Sequence, residues 1–178
     1  MKQDVAGAKV RLYGDAVYDQ DSPWPQVTLG LQHKKNDTMT IPTAIGAKSG
    51  SDTDFYLAAT KIWLAGFMGR SVLANLTLRS TRANQMGLLG FGGDRNDSRR
   101  IEPEVSLAVL LRDDLALGVE NRWKPDNLSA FREDSFGDVF LAWFPSRNVA
   151  VTGAYTSLGS IAGKKDQRGP YLSVQLTL

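Results

Sequence analysis

Apolar and polar residues alternate along most of this chain, which is the pattern of β-strands that bury one face. The C-terminal stretch RGPYLSVQLTL shows the alternation without interruption from Tyr171 onwards. Its apolar positions share one face and are Leu172, Val174, Leu176 and Leu178. The terminal residues of soluble domains are more often polar and frayed. We therefore expect this face to contact lipid, as the last strand of an outer-membrane β-barrel does.

The same alternation predicts about nine strands of about 10 residues, the length that a tilted transmembrane strand requires. The predicted strands are 8–18, 26–34, 54–64, 72–81, 101–111, 115–124, 136–144, 149–156 and 171–178. Short turns alternate with the long polar loops 35–53, 83–99 and 125–135, and a loop of medium length, 159–168, precedes the last strand. Outer-membrane barrels combine short periplasmic turns with longer outer loops, whereas a soluble β-sandwich has no reason to keep this rhythm.

These features predict an all-β fold, an antiparallel up-and-down transmembrane β-barrel in a single domain over residues 1–178. Bacterial single-chain barrels have an even number of strands, but the predicted number is odd. We therefore expect this chain to be the C-terminal part of a longer barrel, truncated by an odd number of N-terminal strands; a miscounted strand is the alternative. The start, MKQDVAGAK, lacks the apolar segment of a secretory signal, which fits a mature or truncated chain, or a protein that is not exported.

Composition excludes several classes of protein. The chain contains no cysteine, which rules out disulfides, thiolate metal sites and a cysteine nucleophile. The formal net charge is only +2, so nothing global indicates nucleic-acid binding. No apolar run approaches the about 20 residues of a membrane-spanning helix. Barrel strands direct only half of their residues towards lipid, so the composition is compatible with a barrel.

Charged residues of both signs fall on the predicted inward face of the strands. They are Arg11, Asp15, Lys61, Arg79, Glu102, Glu104, Arg112, Glu120, Arg122 and Asp138. Both parities of the third strand are fairly apolar, and Lys61 indicates that the parity it shares with Phe55 faces the interior. Oppositely charged residues on neighbouring strands attract each other, so we interpret the set as a ladder of salt bridges in the lumen. Acid–base catalysis by Glu102 and Glu104 is the less favoured interpretation.

The segment Gly87–Asp94 is rich in glycine but lacks the Lys-Ser/Thr pair of a phosphate-binding loop. Glycine more simply provides the positive φ angles of a compact loop. The same segment carries three large apolar residues, Leu88, Leu89 and Phe91, which would otherwise be exposed. We predict that they fold into the mouth of the barrel as a constriction.

No group of residues indicates catalysis, a metal site or a cofactor site. His33, the only histidine, shares its face with Leu29 and Leu31 and therefore points away from the lumen. A hydrolytic site of His33 with Asp37 would make the protein an outer-membrane enzyme that acts on lipid or peptide at the outer rim, and this stays open as an alternative. A soluble lipocalin-like β-barrel, with its apolar face inside, is the other.

Several segments resemble a family of Gram-negative outer-membrane proteins whose domain has no assigned function. They are GDAVYDQDSPWPQVTLGLQHKKND, ATKIWLAG, RANQMGLLGFGGDRND, WKPDNL, DVFLAWFPSRNVAVTGAY and DQRGPYLSVQLTL. The resemblance covers nearly the whole chain, with GLLGFGGDRND as its most specific part, and implies a longer N-terminus with a signal peptide and further strands. Such proteins usually end in an aromatic residue, where this chain has Leu178, which bears on its recognition by the barrel-assembly machinery.

Pattern and resemblance together predict a protein of the bacterial outer membrane. Its role is expected to be structural, or that of a narrow passive channel for small solutes. The expected partners are outer-membrane lipid and the barrel-assembly machinery, with no nucleic acid and no cofactor.

Overall fold

The computed structural model describes residues 2–161 and 163–177, and these residues lie mostly in β-strands. The described residues form nine strands in succession: β1 Gln3–Tyr13, β2 Gln26–Asn36, β3 Ser51–Phe67, β4 Arg70–Thr81, β5 Arg100–Arg112, β6 Leu115–Arg122, β7 Phe136–Ser146, β8 Val149–Ile161 and β9 Lys164–Leu176. The helix α1 (Thr40–Ala44) and a 3₁₀ turn (Asn84–Gly87) lie within loops. Within the described ranges, no helix is long and apolar enough to cross a membrane.

Each strand pairs with the next one in antiparallel orientation, which gives a single sheet in the order β1 to β9. The predicted all-β, antiparallel, up-and-down arrangement of nine strands is therefore confirmed. Two-residue turns at 68–69, 113–114 and 147–148 lie at one end of the sheet, the turn end, and the long loops 37–50, 82–99 and 123–135 lie at the other, the loop end. The described residues of β1 and β9 do not pair with each other, so the sheet is not closed as a barrel.

The sheet is curled, because one loop segment contacts strands near both of its edges. A Cβ atom added at Gly87 would lie 2.6 Å from Nε2 of Gln3 in β1, and Nε2 of Gln85 donates to the carbonyl oxygen of Ser160 in β8 at 3.3 Å. In a flat sheet, strands seven positions apart would be separated by about 34 Å. The backbone from Gln85 to Gly87 spans at most about 7 Å, and two glutamine side chains cannot bridge the remainder. The face that holds this segment is therefore concave.

The convex face of the sheet is apolar. In the register, Leu29 of β2 pairs with Leu57 of β3, which pairs with Leu78 of β4. These three side chains are 44–45% exposed. The concave face carries polar side chains instead, among them the buried Lys34 and Asp54. A soluble sandwich buries its apolar faces, so the distribution here is the reverse.

The orientation of β3 differs from the prediction. Phe55 and Leu57 pair with Leu31 and Leu29, so their parity lies on the convex face, and Tyr56 lies on the concave face. Both parities of this strand are apolar, so the sequence pattern is ambiguous. The prediction relied on Lys61 alone, and the orientation that it indicated is wrong.

Lys61 occupies a convex position yet is only 3% exposed. Its ammonium group donates to the carbonyl oxygens of Asp19 at 2.5 Å and Ser22 at 2.9 Å, in the loop 14–25 that joins β1 and β2. The same loop continues along β3, where the N–H of Ile62 donates to the carbonyl oxygen of Ala16. The loop therefore covers the lysine, and Lys61 does not belong to the concave face as predicted.

The first strand begins and ends earlier than predicted. β1 runs Gln3–Tyr13 rather than 8–18, so Asp15 lies in the following loop. There its carboxylate accepts the N–H groups of Val17 and Tyr18, both at 2.8 Å, and pairs with Arg11 at 3.2 Å. Asp15 therefore stabilises a turn and is not part of an inward ladder.

The predicted loop 159–168 is instead mostly strand. β8 continues to Ile161 and β9 begins at Lys164, so a tight hairpin joins them. The sequence KKDQR hid this hairpin because it is polar in both parities. Of the terminal apolar set, Leu172, Val174 and Leu176 lie on the convex face and are 61–73% exposed, whereas Leu178 lies outside the described residues.

A glycine on the concave face makes room for an aromatic ring. Gly30 of β2 lies opposite Tyr56, and a Cβ at Gly30 would lie 2.2 Å from the Tyr56 ring. The guanidinium group of Arg79 lies over the other side of this ring, 4.9 Å from its centroid. Gly30, Tyr56 and Arg79 therefore form a stack across three strands.

We expect Gly30→Ala to lower the free energy of unfolding by about 1–3 kcal/mol, because the added methyl group overpacks this stack. Gly153→Ala is the matched control, since nothing lies within 4 Å of its added Cβ. Urea unfolding followed by tryptophan fluorescence measures both. Equal effects of the two substitutions would contradict the importance of the stack.

Candidate functional site

Charged side chains of alternating sign form a network across the concave face of β2 to β6. Nζ of Lys34 lies 2.7 Å from Oδ2 of Asp54, and Nη1 of Arg79 lies 3.9 Å from the same oxygen. Arg79 also binds Glu104 through Nε at 2.6 Å and Nη2 at 3.3 Å. Nε of Arg122 lies 3.4 Å from Oε1 of Glu104. Each of the five strands contributes one residue, and these five residues are called the ion network below.

The centre of the ion network is buried. The side chain of Asp54 is 0% exposed, and those of Arg79 and Glu104 are each 13% exposed. Arg79 also donates to Oε1 of Gln32 at 3.0 Å and rests on the ring of Tyr56. A guanidinium group held by side chains of β2, β3 and β5 has one orientation, and buried charges are tolerated only when they are paired in this way.

The predicted lumen ladder is only partly brought together. Arg79, Glu104 and Arg122 belong to the ion network. Glu102, Glu120 and Asp138 lie on the same face beside it, where Glu120 is directly opposite Asp138. Arg11 lies on the concave face of β1, opposite Thr28, but it pairs with Asp15 towards the turn end. The other three predicted members, Asp15, Lys61 and Arg112, lie elsewhere. Arg112 pairs with Asp114 of its own turn at 3.0 Å, because the strand ends there.

Sequence reasoning missed two members, Lys34 and Asp54. Asp54 was lost because the parity of β3 was inverted. Lys34 shares its parity with Gln32, which contacts Arg79. The polar parity of β2 therefore could have predicted that Lys34 lies on the concave face. The diagonal pairing of the two residues across neighbouring strands becomes visible only once the register is known.

Three loops pack together over the loop end of the concave face. Their apolar centre, called the loop core, consists of Ala47, Ala83, Leu89, Phe91 and Leu128, all less than 9% exposed. The buried amide of Asn127 donates to Oδ1 of Asn84 at 3.0 Å and to the carbonyl oxygen of Arg82 at 3.1 Å. Of the predicted constriction residues, Leu89 and Phe91 lie in the loop core, while Leu88 is 48% exposed.

A strained backbone segment joins the loops to each other. Gln85 and Met86 have φ angles of 47° and 61°, in the left-handed region that residues with a Cβ rarely adopt. The backbone N–H of Gln85 donates to both carboxylate oxygens of Glu133, at 2.9 and 3.1 Å. Lys124 donates to Oε1 of Gln85 at 3.1 Å and to the carbonyl oxygen of Leu158 at 3.4 Å. Side chains from another loop therefore hold Gln85 in this conformation.

Burial changes the acidity of the groups around Gln85. It raises the pKa of Glu133 to about 7, although the N–H of Gln85 and the charge of Lys124 oppose the shift. Burial also lowers the pKa of Lys124, against the attraction of Glu133 and Asp134. Both shifts follow from the cost of keeping a charge away from water.

The geometry does not support the hydrolytic rim site. Nδ1 of His33 lies 2.9 Å from Oγ1 of Thr53 on the convex face, and Asp37 pairs with Lys2 at 3.5 Å. In the part of the chain that the structure describes, no three His, Asp or Glu side chains are grouped to hold a metal ion.

Residues 1–175 match the model of a family described as protein of unknown function, DUF3034. The chain belongs to the DUF3034 family. The match covers all nine strands except the last residue of β9, so the family domain includes both the ion network and the loop core. Comparisons with curated proteins and with solved structures found no match.

Arg79→Met should lower the free energy of unfolding by about 3–5 kcal/mol, because it removes both hydrogen bonds to the largely buried Glu104 and the central cation of the ion network. Arg112→Met is the control: its side chain is 64% exposed, so the expected change is about 0.5 kcal/mol or less. Urea unfolding followed by tryptophan fluorescence measures both. If Arg79→Met behaved like its control, the ion network would not stabilise the sheet.

Glu133→Gln should raise the thermal unfolding midpoint at pH 8. A carboxyl whose pKa is raised on folding contributes stability below its unfolded pKa, and loses this contribution as the pH rises to about 7. The wild-type midpoint should therefore fall between pH 4.5 and 7, and the variant should show a flatter dependence, because its amide oxygen still accepts the N–H of Gln85.

Asp134→Asn provides the contrasting control. Hydrogen bonds from Ser160 lower the pKa of Asp134, so this neighbouring carboxylate stabilises the folded protein when it is ionised. Its substitution should lower the midpoint at pH 8. An unchanged pH dependence in Glu133→Gln would mean that Glu133 is not the titrating group.

Proposed function

We propose that this protein is an outer-membrane β-barrel of a Gram-negative bacterium, either structural or a narrow passive channel for small solutes. The observation that carries the proposal is the exposed apolar face, which extends over all nine strands. Representative residues, one per strand, are Val10, Leu29, Leu57, Leu78, Leu107, Leu117, Leu141, Tyr155 and Leu172, each at least 40% exposed. Soluble monomers rarely expose contiguous apolar patches larger than a few hundred Å². Membrane lipid is the partner that such a face suits.

Aromatic side chains at the turn end support the same orientation. Trp24, Trp63, Phe67 and Trp143 are exposed there. Nε1 of Trp143 donates to Asp114 in the turn between β5 and β6 at 3.1 Å. An aromatic ring with one polar contact suits the boundary between lipid and water, where barrels carry girdles of Trp and Tyr.

Closure of the barrel requires further strands in this proposal. In an up-and-down sheet of nine strands, β1 and β9 run in the same direction, so direct closure would be parallel. An odd number of additional strands allows an entirely antiparallel ring. Because unpaired backbone groups are costly in lipid, we propose that strands preceding β1 in a longer protein fill this seam, assembled by the barrel-assembly machinery.

The contents of the concave face favour a structural role or a narrow channel over a wide pore. The loop core covers its loop end, and the ion network crosses the face below. Towards the turn end, the small residues Ala108, Ala116 and Ala142 of β5 to β7 are buried. Side chains thus fill the interior at several levels, as in small barrels.

Leu141→Arg should destabilise the protein in lipid bilayers by about 2–4 kcal/mol, because Leu141 lies at the middle of β7 on the convex face. Leu64→Arg, at an exposed leucine near the turn end, should cost about 1 kcal/mol or less, because it lies at the proposed interface. Unfolding of protein refolded into phospholipid vesicles measures the difference.

In water, both leucines are about half exposed, 44% and 53%, and both substitutions would change stability by less than about 0.5 kcal/mol. Equal, small effects of the two variants would therefore contradict membrane insertion. So would extraction of the native protein in soluble form without detergent. Heat-modifiable migration of the membrane fraction would support the barrel.

A further inference from the structure

A small cavity lies on the concave face between the ion network and the loops. Loop residues Ala83, Met86 and Trp123 line one side of it, and the ion network lines the other. The cavity has a volume of about 40 Å³. One water needs about 10–15 Å³, so the cavity holds about three waters or one anion of similar size.

The side chains that line the cavity carry an excess of positive charge. The cations are Lys34, Arg79, Arg122 and Lys124, and the anions are Asp54 and Glu104. Two positive charges are therefore not balanced by carboxylates in the lining. Because burial strengthens electrostatic interactions, a small anion in this cavity would be attracted strongly.

The cavity also offers unused hydrogen-bonding groups. Oδ1 of Asp54 is buried and, among the described residues, has no hydrogen-bond partner, although Oδ2 accepts from Lys34. An ammonium group has three donors, and Lys34 uses one of them on Asp54. The guanidinium group of Arg122 has only long contacts, 3.4 Å to Glu104 and 3.8 Å to the sulfur of Met86. The site therefore has free donors on two cations and one free acceptor on a carboxylate.

The free donors and the free acceptor together define the class of small anion that fits the cavity. It must accept hydrogen bonds from Lys34 and Arg122, and it must donate one to Oδ1 of Asp54. A protonated oxyanion such as hydrogen phosphate does both through its anionic oxygens and its hydroxyl group. Sulfate has the same shape but no proton near neutral pH, so it would leave Asp54 facing an acceptor, and an unpaired buried acceptor is costly.

We propose that this cavity binds a small protonated oxyanion, with inorganic phosphate as its representative. The anionic oxygens face Lys34 and Arg122, and the hydroxyl group donates to Asp54. The proposal goes beyond the barrel function, because the site consists of the sheet and its loops and does not require that the interior conducts solutes.

Isothermal titration calorimetry of detergent-refolded protein tests the proposal with phosphate, sulfate and chloride at constant ionic strength. We expect one phosphate to bind per chain. The affinity for sulfate should be at least about tenfold lower, and chloride should produce no heat of binding. Arg122→Gln should weaken phosphate binding by about tenfold or more, since it removes a charge-assisted donor. Arg112→Gln, at the distant turn, is the matched control and should bind phosphate as the wild type does.

Asp54→Asn tests the role of the free carboxylate oxygen. An asparagine amide donates to the ligand, so the variant should lose the preference for phosphate over sulfate. Three outcomes would each overturn the proposal: no binding of phosphate, equal affinity of the wild-type protein for phosphate and sulfate, or an unchanged phosphate affinity in Arg122→Gln. None of them requires that Asp54→Asn folds. Because no membrane is present, these outcomes are independent of the result of the vesicle experiment.

Discussion

The pairing of charges on the concave face is the constraint on which the rest of this structure depends. Lys34, Asp54, Arg79, Glu104 and Arg122 come from five successive strands and alternate in sign. A shift of one residue in the register of any strand would turn its charge to the opposite face and leave buried partners unpaired. The network therefore fixes which face of the sheet is polar. Once that face is chosen, the period of two directs the leucines and valines to the convex side.

As a result, the buried apolar core of this protein lies between the loops and not against the sheet. Phe91 and Leu128 are fully buried in the loops, whereas most large apolar residues of the strands are exposed. The loops hold such a core because the buried amides of Asn84 and Asn127 satisfy backbone groups that strands elsewhere would satisfy. Long loops with a core of their own also explain the left-handed φ angles at Gln85 and Met86, which surrounding contacts must hold in place.

The sequence alone predicts the number, direction and apolar faces of most strands, because these features follow from local alternation and turn residues. It fails at β3, where both parities are apolar and Lys61 is satisfied by carbonyl oxygens of a loop more than 35 residues away in sequence. It fails also at the β8–β9 hairpin, where both faces are polar. Three of the five members of the ion network are predictable, since Arg79, Glu104 and Arg122 share the expected face. The contact of Gln85 with Glu133 depends on packing between loops, which no local pattern encodes.

The strained segment has a mechanical consequence for the whole sheet. The adjoining Gly87 contacts Gln3 of β1 and Asn36 of β2 on one side, and Gln85 contacts Ser160 of β8 on the other. The loops therefore set the distance between the two sides of the seam at the loop end, whatever occupies the seam below. In the proposed longer barrel, additional strands must fit a curvature that these nine strands and their loops already define. Removing the hydrogen bonds of Gln85 would then relax the curl of the sheet as well as the loops, because the same residues support both.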